Sequence, residues 1–301
     1  MNAYLRAMRL ERWPRSTAIF AGTAALYFLR RDIFGGLGII EIAARLAGSF
    51  LVTWFISTAN YIINEVADAP FDIHHPTKRN RPLVKGEVRT KPLLAWAVVL
   101  GVPSFLVAGI FFSREFLFSL LALLAAGFIY NIKPVRTKDV PFIDAVSESM
   151  NNPIRFLIGW YAFPVRMFPP WSLLIAWWAF GNFLMIAKRL SEFRFLKERA
   201  ADYRASLKRY TMHSLVLGMA VSAAVFFLGY FYFAVSCRLQ LFILISPLLA
   251  FYFYLFFRKT LHETEVMEEP ERLLGRPKFA LYTVFLFLLY LAAVFLDKIG
   301  R

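Results

Sequence analysis

The chain is 301 residues long, 59% hydrophobic and 18% aromatic, more apolar side chain than a water-soluble domain of this size can bury. Its 35 Lys and Arg against 20 Asp and Glu leave a formal charge of +15. On a soluble protein that charge would point to nucleic acid, but on a chain this apolar it excludes that partner and points to a polytopic membrane protein.

Apolar stretches long enough to cross a bilayer, roughly 17–25 residues, lie near 16–34, 36–66, 93–113, 115–132, 141–163, 171–187, 211–235, 239–257 and 278–296, nine in all. Arg6, Arg9, Arg12 and Arg15 precede the first as in a secretory signal. No convincing small-residue cleavage site follows, and eight further spans do, so the first is expected to stay as a helix. Backbone in lipid must satisfy its own hydrogen bonds, so continuous apolar spans mean helices and not alternating barrel strands. The expectation is an all-α, multi-pass protein forming one integral-membrane domain over residues 1–301. The single Cys237 excludes an intramolecular disulfide, and no Cys/His cluster has zinc-ligand spacing.

The N-terminal tail and the loops after the second, fourth, sixth and eighth spans hold 26 Lys and Arg, and the opposite side holds seven. That asymmetry is expected to place the N-terminus in the cytoplasm and the C-terminus outside, in a cell (inner) membrane.

At the cytoplasmic end of the second span stands NEVADAPFDIHHPTKRNRP, residues 64–82. Asn64, Asp68 and Asp72 recur every four residues and share a helix face, although Pro70 is expected to kink or end the helix there. Oxygen ligands in a row beside Lys78, Arg79 and Arg81 suit Mg²⁺ bridging to a phosphorylated ligand, with the cations taking the remaining charge. The blander reading is that the aspartates only balance their basic neighbours at the interface. Further on, Asp144, Glu148, Asn151 and Arg155 interrupt an otherwise apolar span at helical spacing, a stripe expected to face the interior. An ion pair serving packing alone is the competing account. Pro153 is expected to break that helix.

The stretch NEVADAPFDIHHPTKRNRPLVKGEV resembles the first signature of the UbiA superfamily of intramembrane prenyltransferases, with Glu65 where Asp is usual. The resemblance implies a nine-helix bundle with a cytoplasmic-side active site, where Mg²⁺ at Asn64, Asp68 and Asp72 holds a diphosphate over an isoprenoid tunnel. The segment YNIKPVRTKDVPFIDAVSESMNNPIRF is similar to the family's next cytoplasmic motif. By that likeness Lys133, Arg136, Lys138 and Arg155 meet phosphate oxygens and Asp144 joins the site. Ordinary members carry a second Asp pair after the sixth helix. Here AKRLSEF offers Lys188, Arg189 and Glu192, which resembles the decaprenyl-phosphate phosphoribosyltransferase branch, as does the run from His75 to Arg79. The N-terminal Arg9 and Trp13 match that branch only in part, and the turn at 130–138 is closer to ordinary prenyltransferases.

Two enzymatic readings follow from the resemblance. In the first, a polyprenyl phosphate attacks phosphoribosyl pyrophosphate; Lys78, Arg81 and Lys188 or Arg189 hold phosphates, and Asp144 or Glu192 meets ribose hydroxyls. In the second, a prenyl diphosphate ionises and an aromatic or lipid acceptor captures the carbocation. Either way the partners are a polyprenyl lipid, a phosphorylated or diphosphate small molecule and the membrane, and homo-oligomerisation stays open. A transporter is the non-enzymatic alternative, but no matching pair of interrupted helices marks inverted repeats.

Overall fold

The computed structural model describes residues 2–73, 78–196, 205–262 and 276–299. The chain forms two compact units, one holding the described residues up to Pro169 with Ala205 and Ser206, the other holding the rest from Pro170 onward. Residues 74–77 of the basic run, and 197–204 with Asp202, lie outside the described residues.

The first unit begins with α1 (Ala3–Met8), capped by the Asn2 side chain, and a 3-10 segment, Leu10–Ala18, containing Pro14. Then come α2 (Ile19–Leu29), α3 (Ile39–Asp72), α4 (Thr90–Phe111), α5 (Arg114–Asn131), α6 (Ile143–Ser149) and α7 (Asn151–Trp160). The second unit holds α8 (Trp171–Leu196), α9 (Met212–Ser236), α10 (Gln240–His262) and α11 (Pro277–Ile299).

Seven of these helices are long and apolar enough to cross a membrane: α3, α4, α5 and α8 to α11. All nine expected spans are helical, and the first and fifth are interrupted. At 11 residues α2 reaches only about 16 Å of a roughly 30 Å hydrocarbon core. The nine-residue 3-10 segment before it holds Glu11, Arg12 and Arg15, so it adds no apolar length, and this stretch is not among the seven. The fifth span breaks at Met150, between α6 and α7. Pro153 explains this: it has no N–H for the carbonyl of Ser149, and its ring clashes there. The Asn151 side chain donates to the carbonyl of Glu148 at 3.0 Å, repairing part of the break.

The second span corrects an expectation. Pro70 does not end α3, which runs on to Asp72. Proline sits in the final turn, where only two residues follow it, so its cost is confined to one hydrogen bond. Asn64, Asp68 and Asp72 therefore stay on one helix.

Small residues set the helix crossings, as apolar packing in lipid favours. A Cβ on Gly159 of α7 would lie 1.8 Å from the Ile19 carbonyl oxygen, and one on Gly22 of α2 would lie 2.0 Å from that of Phe156. The Thr23 hydroxyl donates to the Gly159 carbonyl at 2.8 Å. Between α3 and α5, a Cβ on Gly127 would meet Asn60 Oδ1 at 2.1 Å, and Asn60 donates to the Leu123 carbonyl at 2.7 Å. That contact brings the end of α5 beside the polar end of α3. In the second unit Gly229 of α9 also packs against α8, less tightly: a Cβ there would be 2.8 Å from the Ser172 carbonyl oxygen. An aromatic cluster including Phe183, Phe226 and Phe253 fills the space toward α10.

Candidate active site

The last two turns of α3 carry the acidic side chains, and three other segments bring cations to them. Asp68 is reached from the turn after α5. Lys138 Nζ donates to its carboxylate, and Arg136 Nη2 lies 3.5 Å from the same oxygen. Arg136 is pinned by Asp139 at 2.9 Å and by the carbonyls of Asn131 at 3.0 Å and Ala67 at 3.3 Å. Its guanidinium lies 4.7 Å from the centre of the Phe71 ring, a cation–π contact. Asp72 is buried and paired with Arg81, from the loop after α3.

Asn64 donates to Asn131 Oδ1 at 2.7 Å, and the same oxygen accepts from Lys138 at 3.0 Å. Asn131 in turn donates to the Gly127 carbonyl at 2.8 Å. This hinge between α3 and the turn after α5 leaves the Asn64 side-chain oxygen out of that bond. Glu65, 1% exposed, accepts from Arg9 and stands 3.6 Å from Arg81. Burial pushes the Arg81 guanidinium below the ordinary arginine range; the Arg9 charge acts the same way, while Asp72, Glu65 and Asp68 oppose both.

Sequence reasoning overlooked Asn131 and the Arg9–Glu65 pair. A signal for Asn131 existed, a lone amide ending an apolar run. Arg9 carried none, being one of four arginines in the tail. The structure also leaves two expected residues aside: Arg79 and Lys133 are exposed on their turns. Lys78 is half-buried on the 3-10 turn Lys78–Asn80.

The stripe in the fifth span turns inward as its spacing predicts. Asp144 is fully buried and accepts from the Ala145 amide at 2.8 Å and the Ser206 hydroxyl at 3.0 Å. Glu148 accepts from the Tyr130 hydroxyl at 2.9 Å, and buried Arg155 donates to Ser57 of α3 at 3.3 Å. In the second unit Arg189 is fully buried and donates to Glu192 at 2.8 Å, one helical turn on, with Lys188 half-buried beside it.

Among the described residues no group of three or more His, Cys, Asp and Glu side chains gathers as a metal site. The end of α3 offers two carboxylates and an amide oxygen, hard donors that fit Mg²⁺ when substrate oxygens and water complete its shell. Glu65, Asp68 and Asp72 meet Arg9, Arg81, Arg136 and Lys138. Asp139, on Arg136, brings the carboxylates to four against those four cations, so the cluster is balanced by itself and a cation at Asp68 or Asp72 would leave positive charge for an anionic ligand.

These features define a polytopic helical membrane protein with a phosphate-handling cluster at one end of a span. The UbiA prenyltransferase family model matches residues 20–257, and the chain belongs to that family; it is a UbiA-type transferase. It is 29% identical over 229 residues, 75% of its length and 72% of the relative's, to the decaprenyl-phosphate phosphoribosyltransferase of Mycobacterium tuberculosis. Against that of Corynebacterium glutamicum identity is 28% over 240 residues, 74% of this chain and 65% of the relative. Its fold matches a UbiA homolog from Archaeoglobus fulgidus, solved bound to GPP and Mg²⁺, with TM-score 0.69 at 18% identity, covering 97% of this chain and 99% of that one.

Proposed function

We propose that this transferase moves the 5-phosphoribosyl group from phosphoribosyl pyrophosphate to a polyprenyl phosphate, using Mg²⁺. One observation carries the choice of donor. Where ordinary members are expected to hold a second metal-binding Asp pair, α8 presents Lys188 beside the buried Arg189–Glu192 ion pair. Cations at that point suit a third phosphate bound directly, and a prenyl diphosphate has none. The names of the relatives at 29% and 28% identity support the same reading.

In this mechanism a lipid phosphate oxygen attacks the anomeric carbon, the bond from that carbon to the pyrophosphate oxygen breaks, and pyrophosphate leaves with the electron pair. Asp68, Asp72 and the Asn64 oxygen would hold Mg²⁺, which when bound would supply Lewis-acid charge to the leaving group. Arg136 and Lys138, beside Asp68, and Arg81, beside Asp72, would with Lys78 be the donors for phosphate oxygens, fixed in place before the charge develops. In the second unit, taken by itself, Lys188 is the group offered to a 5-phosphate, beside the buried Arg189–Glu192 pair.

The test is purified protein in lipid nanodiscs with Mg²⁺, given either phosphoribosyl pyrophosphate and polyprenyl phosphate or prenyl diphosphate and an aromatic acid, with products read by mass spectrometry. Phosphoribosyl lipid is expected from the first pair; prenylated acid from the second alone overturns the reading. Binding gives an independent measure. At about a hundredfold excess over Kd a ligand of the native state adds roughly 2.7 kcal/mol, so phosphoribosyl pyrophosphate with Mg²⁺ should raise the melting temperature by several degrees. Lys188→Ala should shrink that rise, measured against the variant's own melting point without ligand.

The charge asymmetry supports a site opening to the cytoplasm. In a Cys237→Ser background, Gly36→Cys should label from outside with an impermeant maleimide, and Lys85→Cys only after permeabilisation. The reverse pattern would reject the orientation.

A further inference from the structure

Glu65 sits one residue past Asn64, yet its side chain turns away from the Asn131 hinge and lies between two guanidiniums. Both Arg9 and Arg81 address its Oε2, Arg9 as a hydrogen-bond donor and Arg81 at 3.6 Å. Its other oxygen, Oε1, is buried with no hydrogen-bond partner. A buried carboxylate oxygen with spare capacity beside a guanidinium is costly to leave unused. Arg81 itself donates to Asp72, so two carboxylates compete for one cation.

The N-terminal segment fixes this arrangement from the other side. Arg9 is held at φ 54° between α1 and the 3-10 segment, a left-handed conformation unfavourable for a residue with a Cβ. Around it, Ala7 and Met8 pack with Ile62 of α3, Val88 and Leu93. Arg6 bonds Glu87 at 2.6 Å, clamping α1 to the loop that bears Arg81. Arg9 thus reaches Glu65 from a braced backbone.

We propose that Glu65 is a positioning residue that receives Arg81 when Asp72 turns to a divalent cation, and that Arg9 limits how strongly it does so. The inference rests on the reading of Asp72 as a metal ligand. In the structure Arg81 neutralises Asp72. Metal entry must displace it, and a guanidinium expelled into a buried site with no other acceptor would oppose binding. Glu65 supplies that acceptor within a small movement. Arg9 occupies the same carboxylate, so it weakens the competition for Arg81.

Opposite signs follow for the two partners. Partners behind a metal ligand are worth about 10- to 100-fold in metal affinity, so Glu65→Gln should weaken Mn²⁺ binding by that factor, and Glu65→Asp should recover part of it. Arg9→Gln should keep or raise affinity, because Glu65 is then free for Arg81. Added pyrophosphate offers Arg81 an alternative acceptor, so it should shrink the Glu65→Gln deficit. The measurement is free Mn²⁺ by electron paramagnetic resonance on the full chain in nanodiscs, with and without pyrophosphate, beside a thermal melt of each variant. Asp72→Asn serves as the control. If it loses Mn²⁺ while Glu65→Gln binds as wild type, the positioning role is overturned and the metal reading stands. If Asp72→Asn binds as wild type, both fall. Equal losses in Arg9→Gln and Glu65→Gln, unmoved by pyrophosphate, would mean a structural brace and also overturn the proposal.

Discussion

Asp68→Asn is expected to lower kcat/KM by about 10²- to 10³-fold, the range seen when one preorganised electrostatic contact is removed from a reacting centre. Asparagine keeps the size and one oxygen of aspartate and loses the charge that holds a hard cation. With the Asp68 charge gone, Arg136 keeps Asp139 and Lys138 keeps Asn131 Oδ1 at 3.0 Å, so neither cation is left without an acceptor. The melting temperature should therefore fall by a few degrees at most. Asp72→Asn should lose comparable activity with a similar stability cost, because Arg81 loses its buried charged partner but has Glu65 3.6 Å away to turn to. Pyrophosphate release in nanodiscs, with Mg²⁺ varied and then removed by EDTA, checks both variants. Near-normal turnover in the two mutants, or an undiminished rate in EDTA, would remove the metal from the mechanism.

Gly159→Leu is expected to prevent the first unit from assembling. Even the Cβ of alanine would lie 1.8 Å from the Ile19 carbonyl oxygen, backbone that cannot swing aside as a side chain can. Overpacking typically costs about 1–3 kcal/mol, and a leucine against backbone should exceed that range. Separation of α2 from α7 also breaks the Thr23 bond to the Gly159 carbonyl. It shifts Arg155, which reaches α3 at Ser57 from the same helix. Gly22→Leu should behave alike, since its Cβ would lie 2.0 Å from the Phe156 carbonyl oxygen. Gly36→Leu has nothing within 4 Å and should melt as wild type. Size-exclusion profiles and melts of the three variants test this. Wild-type behaviour of Gly159→Leu would mean the two helices do not cross so closely.

The interrupted helices show how far local pattern reaches. Hydropathy located the seven helices long and apolar enough to cross a membrane, because a bilayer demands a long apolar run whatever its neighbours are. It could not say that only Ile19–Leu29 of the 16–34 stretch is α-helix, with 3-10 turns before and after it, because hydropathy does not report which hydrogen-bond pattern the backbone takes. Pro153 announced the break in the fifth span, where a further helix follows it, while Pro70 stands only two residues before α3 ends at Asp72. A proline's effect depends on how many turns lie beyond it.

Sequence alone determined that the chain lives in a membrane, that Asn64, Asp68 and Asp72 share a face, and that cations crowd one side. Those conclusions rest on composition and on a period of 3.6 residues, both of which are local. Only the tertiary structure decided which cation meets which carboxylate. Lys138 is 70 residues from the Asp68 it neutralises, and Arg9 is 56 from Glu65. It likewise left Arg79 exposed beside Arg81, which is held. No spacing rule links such partners. Their meeting is set by how closely α5 approaches α3 at Gly127 and how α1 packs on the loop after it, and packing of that kind is decided by shape across segments and not by order along the chain.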